Sequence, residues 1–129
     1  MYEIALEGSF SAAHALRLYD SSMEPRHGHD FKVRVVLGAD TLDTIGVVAD
    51  FEELKPVLTR LLSAYNGKDL NQHPDFGQPD WNPSTENIAR RIYGHLTREL
   101  AHSRARLRIV TVWETPDASA TVDGAGAAR

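Results

Sequence analysis

Apolar and polar residues alternate at the start of the chain. One side of residues 2–12 carries Tyr2, Ile4, Leu6, Phe10 and Ala12, and the positions between them are mostly glutamate and serine. Residues 31–37 (FKVRVVL) alternate in the same way and end at Gly38. A period of two with one polar face is typical of half-buried antiparallel strands, so the pattern predicts two strands here.

Two helices are predicted in the middle of the chain. Asp50 can cap the first helix, with Glu53 three residues later as in a capping box. Pro56 lies inside this helix and should bend its first turns, because proline removes a backbone hydrogen bond. The second helix can be capped by Ser84 or Thr85. The apolar stripes are Leu54, Leu58, Leu61 and Leu62 in the first helix, and Ile88, Ile92, Leu96 and Leu100 in the second.

The remaining segments complete an α+β fold. Residues 66–83 form a loop rich in Asn, Gly, Asp and Pro, and loops of that length are more often functional than decorative. Strands are predicted at 107–114 and 119–122, which gives the order β-β-α-α-β-β. We expect a single domain at 1–123, a four-stranded antiparallel sheet with two helices on one face, and a flexible tail at 124–129. Two free sheet edges would favour oligomerisation.

Composition excludes several classes of function. The chain has 129 residues, a net charge of −4 and no cysteine. The acidic balance argues against a nucleic-acid partner, and the missing cysteines exclude disulfides, a thiolate nucleophile and sulfur ligands for zinc. No apolar stretch is long enough to span a membrane and no signal peptide is visible, so we expect a cytoplasmic protein without a membrane partner.

Three histidines are candidate metal ligands. His27 and His29 flank Gly28 at the start of the second strand, where residues i and i+2 point to the same face about 7 Å apart. His14 ends the first strand with the parity of its apolar face, so a hairpin would bring it near the other two. Three imidazoles with an open fourth position are typical of a catalytic Zn²⁺ site. The alternative is a group of surface or hydrogen-bonded histidines near a turn.

Six short segments stand in order along nearly the whole chain: Phe10-Ser11-Ala12-Ala13-His14, His27-Gly28-His29, Gly46-Val47-Val48-Ala49-Asp50-Phe51 with Leu54-Lys55, Leu70-Asn71, Pro83-Ser84-Thr85-Glu86-Asn87 and Glu114-Thr115. Together they resemble the 6-pyruvoyl-tetrahydropterin synthase / 6-carboxytetrahydropterin synthase family, a branch of the tunnelling fold. Each segment is weak evidence alone, but their common order makes the resemblance specific.

The resemblance implies a chemistry and an assembly. The three histidines would hold zinc, Glu114 would anchor a pterin ring, and Thr85 and Glu86 would help to line the pocket. A carboxylate suits the anchoring role because it can accept two parallel hydrogen bonds from an aminopyrimidine edge. The implied substrate is 7,8-dihydroneopterin triphosphate, and the implied assembly is a homohexamer with active sites between subunits.

The sequence departs from the family at the proton relay. The usual base is a cysteine four residues before the first histidine of the HGH segment, and here that position is Met23. The usual Asp-His pair lines up with Asn66 and Gly67. Methionine cannot take up a proton, so the standard relay is missing while the metal and pterin residues remain.

Glu24 is the first candidate for a replacement base. It lies three residues before His27, and some relatives that lack the cysteine carry a glutamate near this position. Those relatives are associated with cleaving the substrate side chain to a 6-hydroxymethyl-pterin. Asp69 and His73, in the long loop, are further candidates. Alternatively, Glu24 is a solvated loop acid.

The sequence leaves three hypotheses about function open. The first is a zinc-dependent pterin lyase that acts on 7,8-dihydroneopterin triphosphate with Glu24, or a loop residue, as base. The second is a non-catalytic homologue that binds a pterin or purine. The third is a zinc enzyme acting on a different heterocycle. The sequence does not choose between the folate, queuosine and other pterin pathways.

Overall fold

Five strands and two α-helices are present in the part of the chain that the structure describes. A computed structural model describes residues 1–78 and 80–124, so residues 125–129 of the predicted flexible tail lie outside the described part. The elements in order along the sequence are β1 (Tyr2–His14), β2 (His27–Ala39), α1 (Phe51–Ser63), β3 (Lys68–Asp69), α2 (Thr85–Glu99), β4 (Arg106–Thr115) and β5 (Ala118–Asp123). Two short 3-10 turns, Leu70–Gln72 and Pro74–Phe76, follow β3.

The sheet has five strands in the order β3-β1-β2-β4-β5, one more than the sequence predicts. The extra strand, β3, lies parallel to β1 at Ala12 and Ala13, and the other pairs are antiparallel. The chain is brought there by the turn before it, where Gly67 has a positive φ of 73° and donates its N–H to Ser11 O at 2.7 Å. A strand of two residues has no alternating pattern that a sequence could reveal.

The predicted alternation of β1 and β2 is confirmed by their burial. Buried and exposed positions alternate along each strand. The buried positions include Leu6 and Phe10 of β1 and Phe31 of β2, and their neighbours in the same strand are mostly exposed. Tyr2 is an exception, with half of its surface exposed at the start of β1. Both helices lie on the same apolar face, α1 against β1 and α2 against β4 and β5. The core therefore lies between the sheet and the two helices.

Both predicted helix caps are confirmed. Asp50 caps α1 by accepting a hydrogen bond from Glu52 N at 2.9 Å, and α1 continues through Pro56 as one helix. Ser84, rather than Thr85, caps α2 and accepts a hydrogen bond from Asn87 N at 3.1 Å. Within the part of the sequence that the structure describes, no helix is long and apolar enough to cross a membrane.

Candidate metal centre and active site

The strand register brings the three predicted histidines together at one end of the sheet. β1 pairs with β2 so that His14 lies opposite His27 and Ala12 lies opposite His29. Each histidine has the parity of the core-facing residues of its strand, so the rings point to the same side. Their ring centroids are 4.5 to 5.4 Å apart. The hairpin predicted from the sequence is therefore the element that assembles this cluster.

Backbone carbonyls orient two of these rings. His14 Nδ1 lies 2.7 Å from Pro83 O, and His27 Nδ1 lies 2.9 Å from Pro25 O. A carbonyl can only accept, so each Nδ1 carries a proton, and in the neutral imidazole this leaves the Nε2 lone pair to bind a metal. Ligand histidines are commonly held in this way by a hydrogen bond from the ring nitrogen that does not face the metal.

The cluster fits a metal ion. His14 is only 1% exposed, and the Nε2 atoms of His14 and His29 are buried without a hydrogen-bond partner. Burying an unpaired polar atom is costly, so these two nitrogens require a partner of another kind. Imidazole nitrogens are good ligands for zinc and other transition metals. The unpartnered nitrogens are therefore the structural observation that favours a metal ion here.

Glu114 joins the histidines from β4. Its Oε1 lies 3.0 Å from His14 Nε2 and 3.8 Å from His29 Nε2, and Thr85 Oγ1 donates to the same oxygen over 3.5 Å. One ligand atom from each of Glu114 and the three histidines lies within 4.8 Å of the others. Glu86 is exposed in the first turn of α2, outside this cluster.

Glu24 lies at the edge of the cluster. It belongs to the segment between β1 and β2, which folds back on itself through a bridge between Arg17 and Met23. Glu24 Oε1 accepts a hydrogen bond from Leu16 N at 2.9 Å and lies 3.8 Å from His27 Nε2. The Glu24 side chain is one-quarter exposed, so it remains accessible to a substrate beside the histidines.

The structure does not place the other two candidate bases in the cluster. Asp69 forms an ion pair of 2.9 Å with Arg26 and accepts a hydrogen bond from Asn71 N. His73 packs against the Tyr65 ring, with centroids 5.0 Å apart, and accepts a hydrogen bond from Asp75 N. Their catalytic roles stay predictions.

A polar network around Asp75 was not predicted from the sequence. The Asp75 carboxylate accepts hydrogen bonds from Tyr65 OH at 2.5 Å and from His95 Nε2 at 2.7 Å, and Arg98 lies 2.7 Å from the other ring nitrogen of His95. Burial raises the pKa of Asp75, but the bonds from Tyr65 and His95 and the charges of His95 and His73 outweigh it. The pKa therefore falls below its ordinary value of 3.8.

Two asparagine side chains connect the long loop to the segment that carries Glu24. Asn71 accepts from Ala15 N and donates to Ala15 O, both at 2.8 Å. Asn82 makes the same pair of bonds with Arg17, at 2.9 and 3.0 Å. The resemblance included Asn71 among its motifs but assigned it no role, and nothing in the sequence pointed to Asn82. The two asparagines thus fix the residues on either side of Leu16, whose N–H binds Glu24.

The chain is similar to known proteins of one family over most of its length. The profile of the family described as 6-pyruvoyl tetrahydropterin synthase matches residues 3–125. The chain is 31% identical to 6-carboxy-5,6,7,8-tetrahydropterin synthase of Bacillus subtilis over 120 residues, which is 89% of this chain and 80% of the relative. The 6-pyruvoyl tetrahydropterin synthase of Caenorhabditis elegans superimposes with a TM-score of 0.81 at 26% identity, covering 96% of this chain and 97% of that one.

Another of the solved structures with this fold is informative about a glutamate. It is a variant of the Plasmodium vivax 6-pyruvoyltetrahydropterin synthase in which a glutamate, described as a catalytic residue, is replaced by alanine. Its TM-score is 0.75 at 22% identity, over 94% of this chain and 96% of that one. The family profile and the Bacillus subtilis relative show that the chain belongs to the 6-pyruvoyl tetrahydropterin synthase family, a lyase family, and the solved structures show that it has the tunnelling fold.

Proposed function

We propose that the protein is a zinc-dependent lyase that acts on 7,8-dihydroneopterin triphosphate and uses Glu24 as its base. The observation that carries the proposal is a carboxylate beside three converging imidazoles, with Glu24 Oε1 3.8 Å from His27 Nε2. Membership of the family supplies the reaction type, because its members are tetrahydropterin synthases.

The metal would be held by His14, His27 and His29. Zinc bound there supplies a positive charge that makes the substrate's hydroxyls and the adjoining C–H bond more acidic. The protein contributes the orientation of the ligands, since the carbonyls of Pro83 and Pro25 fix the rings of His14 and His27. Burial of His14 also keeps bulk water away from one side of the site.

Glu114 would bind the pterin ring. Both of its oxygens can accept the parallel N–H bonds of an aminopyrimidine edge, and such charge-assisted pairs give orientation as well as affinity. Thr85 reaches the same carboxylate from the start of α2 and helps to fix its position. Glu86, in the next position, is exposed and remains a proposed pocket residue.

Glu24 would remove the proton that starts the reaction. The Leu16 N–H holds one carboxylate oxygen at 2.9 Å, which keeps the group directed at the histidine cluster. Removal of the C–H proton leads to loss of triphosphate with the bonding electrons. Removal of a hydroxyl proton instead breaks the adjacent carbon–carbon bond. The hydroxyl-bearing carbon departs as an aldehyde that carries the triphosphate, and the ring-side carbon keeps the bonding electrons and takes up a proton to give a 6-hydroxymethyl-pterin. The catalytic glutamate of the P. vivax protein supports a carboxylate base on this fold.

We also propose that the protein works as a homohexamer with its sites between subunits. β3 pairs with β1 only at Ala12 and Ala13, which leaves most of the β1 edge without a neighbouring strand among the described residues. Exposed strand edges favour pairing with another chain. Sedimentation velocity tests this proposal: a hexamer is expected, and a monomer at assay concentration would contradict it.

Product analysis tests the proposed activity. Zinc-loaded protein is incubated with 7,8-dihydroneopterin triphosphate, and every pterin product is identified by mass spectrometry. We expect turnover that disappears in the metal-free protein and returns when zinc is restored, with the product mass showing which bond breaks. Tight pterin binding without turnover would contradict a lyase and favour a pterin-binding homologue. Neither binding nor turnover would favour an enzyme acting on a different heterocycle.

A further inference from the structure

Glu114 lies closer to the histidines than a pterin anchor requires. One oxygen, Oε1, makes all three of its contacts: with His14 Nε2 at 3.0 Å, with His29 Nε2 at 3.8 Å and with Thr85 Oγ1 at 3.5 Å. Nδ1 of His14 already donates to Pro83 O, so the other ring nitrogen, Nε2, is the one that faces the Glu114 carboxylate. A metal ion between a neutral imidazole nitrogen and a carboxylate oxygen would bind both atoms.

The spacing is that of two ligands sharing one ion. Ligand atoms about 2.0–2.1 Å from a tetrahedral zinc ion lie about 3.3 Å from one another. Glu114 Oε1 lies 3.0 Å from His14 Nε2 and 3.8 Å from His29 Nε2, one distance a little shorter and one a little longer than that value. Glu24 differs, because it approaches only His27 and lies outside the group of mutually close ligand atoms.

From this geometry we infer that Glu114 is an exchangeable fourth ligand of the metal ion. It closes the metal centre while no pterin is bound, and it leaves when an aminopyrimidine edge occupies both of its oxygens. The inference rests on the proposed three-histidine metal centre and deepens the role of Glu114. Its side chain is 30% exposed and can change position, whereas His14 is buried and held by Pro83.

The exchange of Glu114 controls which molecules can reach the metal ion. A zinc site with four protein ligands is closed, and one with three keeps a position for substrate. Because Glu114 vacates that position only for a molecule with an aminopyrimidine edge, the metal becomes available to the hydroxyls of a pterin substrate and not to unrelated ligands. Recognition of the ring and opening of the metal centre are thus one event.

Reciprocal binding measurements test the inference without catalysis. If Glu114 cannot hold the metal and a pterin together, each must weaken the other's binding by the same factor. We use 6-methylpterin, which has the aminopyrimidine edge but no hydroxylated substituent. Calorimetric titration should show that zinc-loaded wild-type protein binds it about fivefold or more weakly than metal-free protein. Equal affinities, or tighter binding in the presence of zinc, would overturn the inference.

A substitution at Glu114 provides a second test of the inference. Glu114→Gln should weaken zinc binding by about tenfold or more, since even the loss of a supporting residue around a metal costs that much. Zinc affinity is measured by competition with a chromogenic chelator, and Glu24→Gln is the matched control that should bind zinc as wild type does. Equal zinc affinity of Glu114→Gln and wild type, or equal weakening in the control, would overturn the inference. Failure of the unsubstituted protein to bind zinc would instead overturn the metal centre of the proposed function, and this inference with it.

Discussion

Replacing Tyr65 with phenylalanine tests the network that holds the long loop to α2. Tyr65 is 1% exposed, and its hydroxyl donates to the Asp75 carboxylate at 2.5 Å. Burial first, and then the bond to Asp75, raise the pKa of Tyr65, so the hydroxyl stays protonated and remains a donor. A hydrogen bond to a charged group contributes about 1.5–3 kcal/mol, and we expect Tyr65→Phe to lower the free energy of unfolding by that amount.

The pH dependence of this loss of unfolding free energy shows whether the Asp75 carboxylate is the partner of Tyr65. The pKa of Asp75 is below 3.8 in the folded protein, so its stabilising contribution is fully present above that pH. The contribution is lost as the pH falls through the lower folded-state pKa, because the carboxylate is then protonated. The charged and titratable groups around it are His73, His95 and Arg91. The difference between wild type and Tyr65→Phe should therefore shrink from pH 7 towards pH 3.

Tyr93→Phe is the matched control for this experiment. Tyr93 is also buried, but its hydroxyl donates to the neutral carbonyl of Leu107 at 3.1 Å. We expect Tyr93→Phe to lower the free energy of unfolding by about 1 kcal/mol at both pH 7 and pH 3. Urea unfolding of the three proteins at both pH values gives the comparison. An unchanged stability in Tyr65→Phe, or a loss that is equal at both pH values, would refute the reasoning.

Three further predictions concern the core, the loop and the metal. Ile92→Ala should lower the free energy of unfolding by about 2–5 kcal/mol in urea titrations, because Ile92 is fully buried against the sheet. Asn71→Ala should lower the free energy of unfolding by about 1–3 kcal/mol and speed hydrogen exchange at the Ala15 amide, which loses its acceptor. Unchanged exchange at Ala15 would contradict the role of Asn71 in fixing that segment. Removing zinc with a chelator should lower the melting temperature in calorimetry, since a ligand that binds only the folded state stabilises it, and restored zinc should reverse the shift.

The sequence predicted the elements with regular periodicity and the residues that those elements align. Alternation in β1 and β2 was enough to place Phe10 and Phe31 in the core, and the parity of His14 was enough to bring it near the HGH segment. Both conclusions follow from local geometry, because successive residues of a strand point to opposite faces of the sheet. They needed no knowledge of distant contacts.

The features that the sequence missed depend on contacts between distant residues. Asp75 binds Tyr65 and His95, ten and twenty residues away, and no periodic pattern marks such a pair. β3 arises from a turn at Gly67 rather than from its own two residues. The resemblance assigned Glu114 only to the pterin. Its position beside the histidine nitrogens depends on the register of β2 and β4, which local sequence does not reveal.

One kinetic comparison tests most directly the proposal that Glu24 is the base. Turnover of 7,8-dihydroneopterin triphosphate is measured for wild type, Glu24→Gln and Asp69→Asn, each with its zinc content determined. We predict that kcat falls by about 10²–10⁴-fold in Glu24→Gln while bound zinc is unchanged. Asp69→Asn should retain turnover, since Arg26 and Asn71 hold its carboxylate away from the cluster. Wild-type turnover in zinc-replete Glu24→Gln would contradict the account.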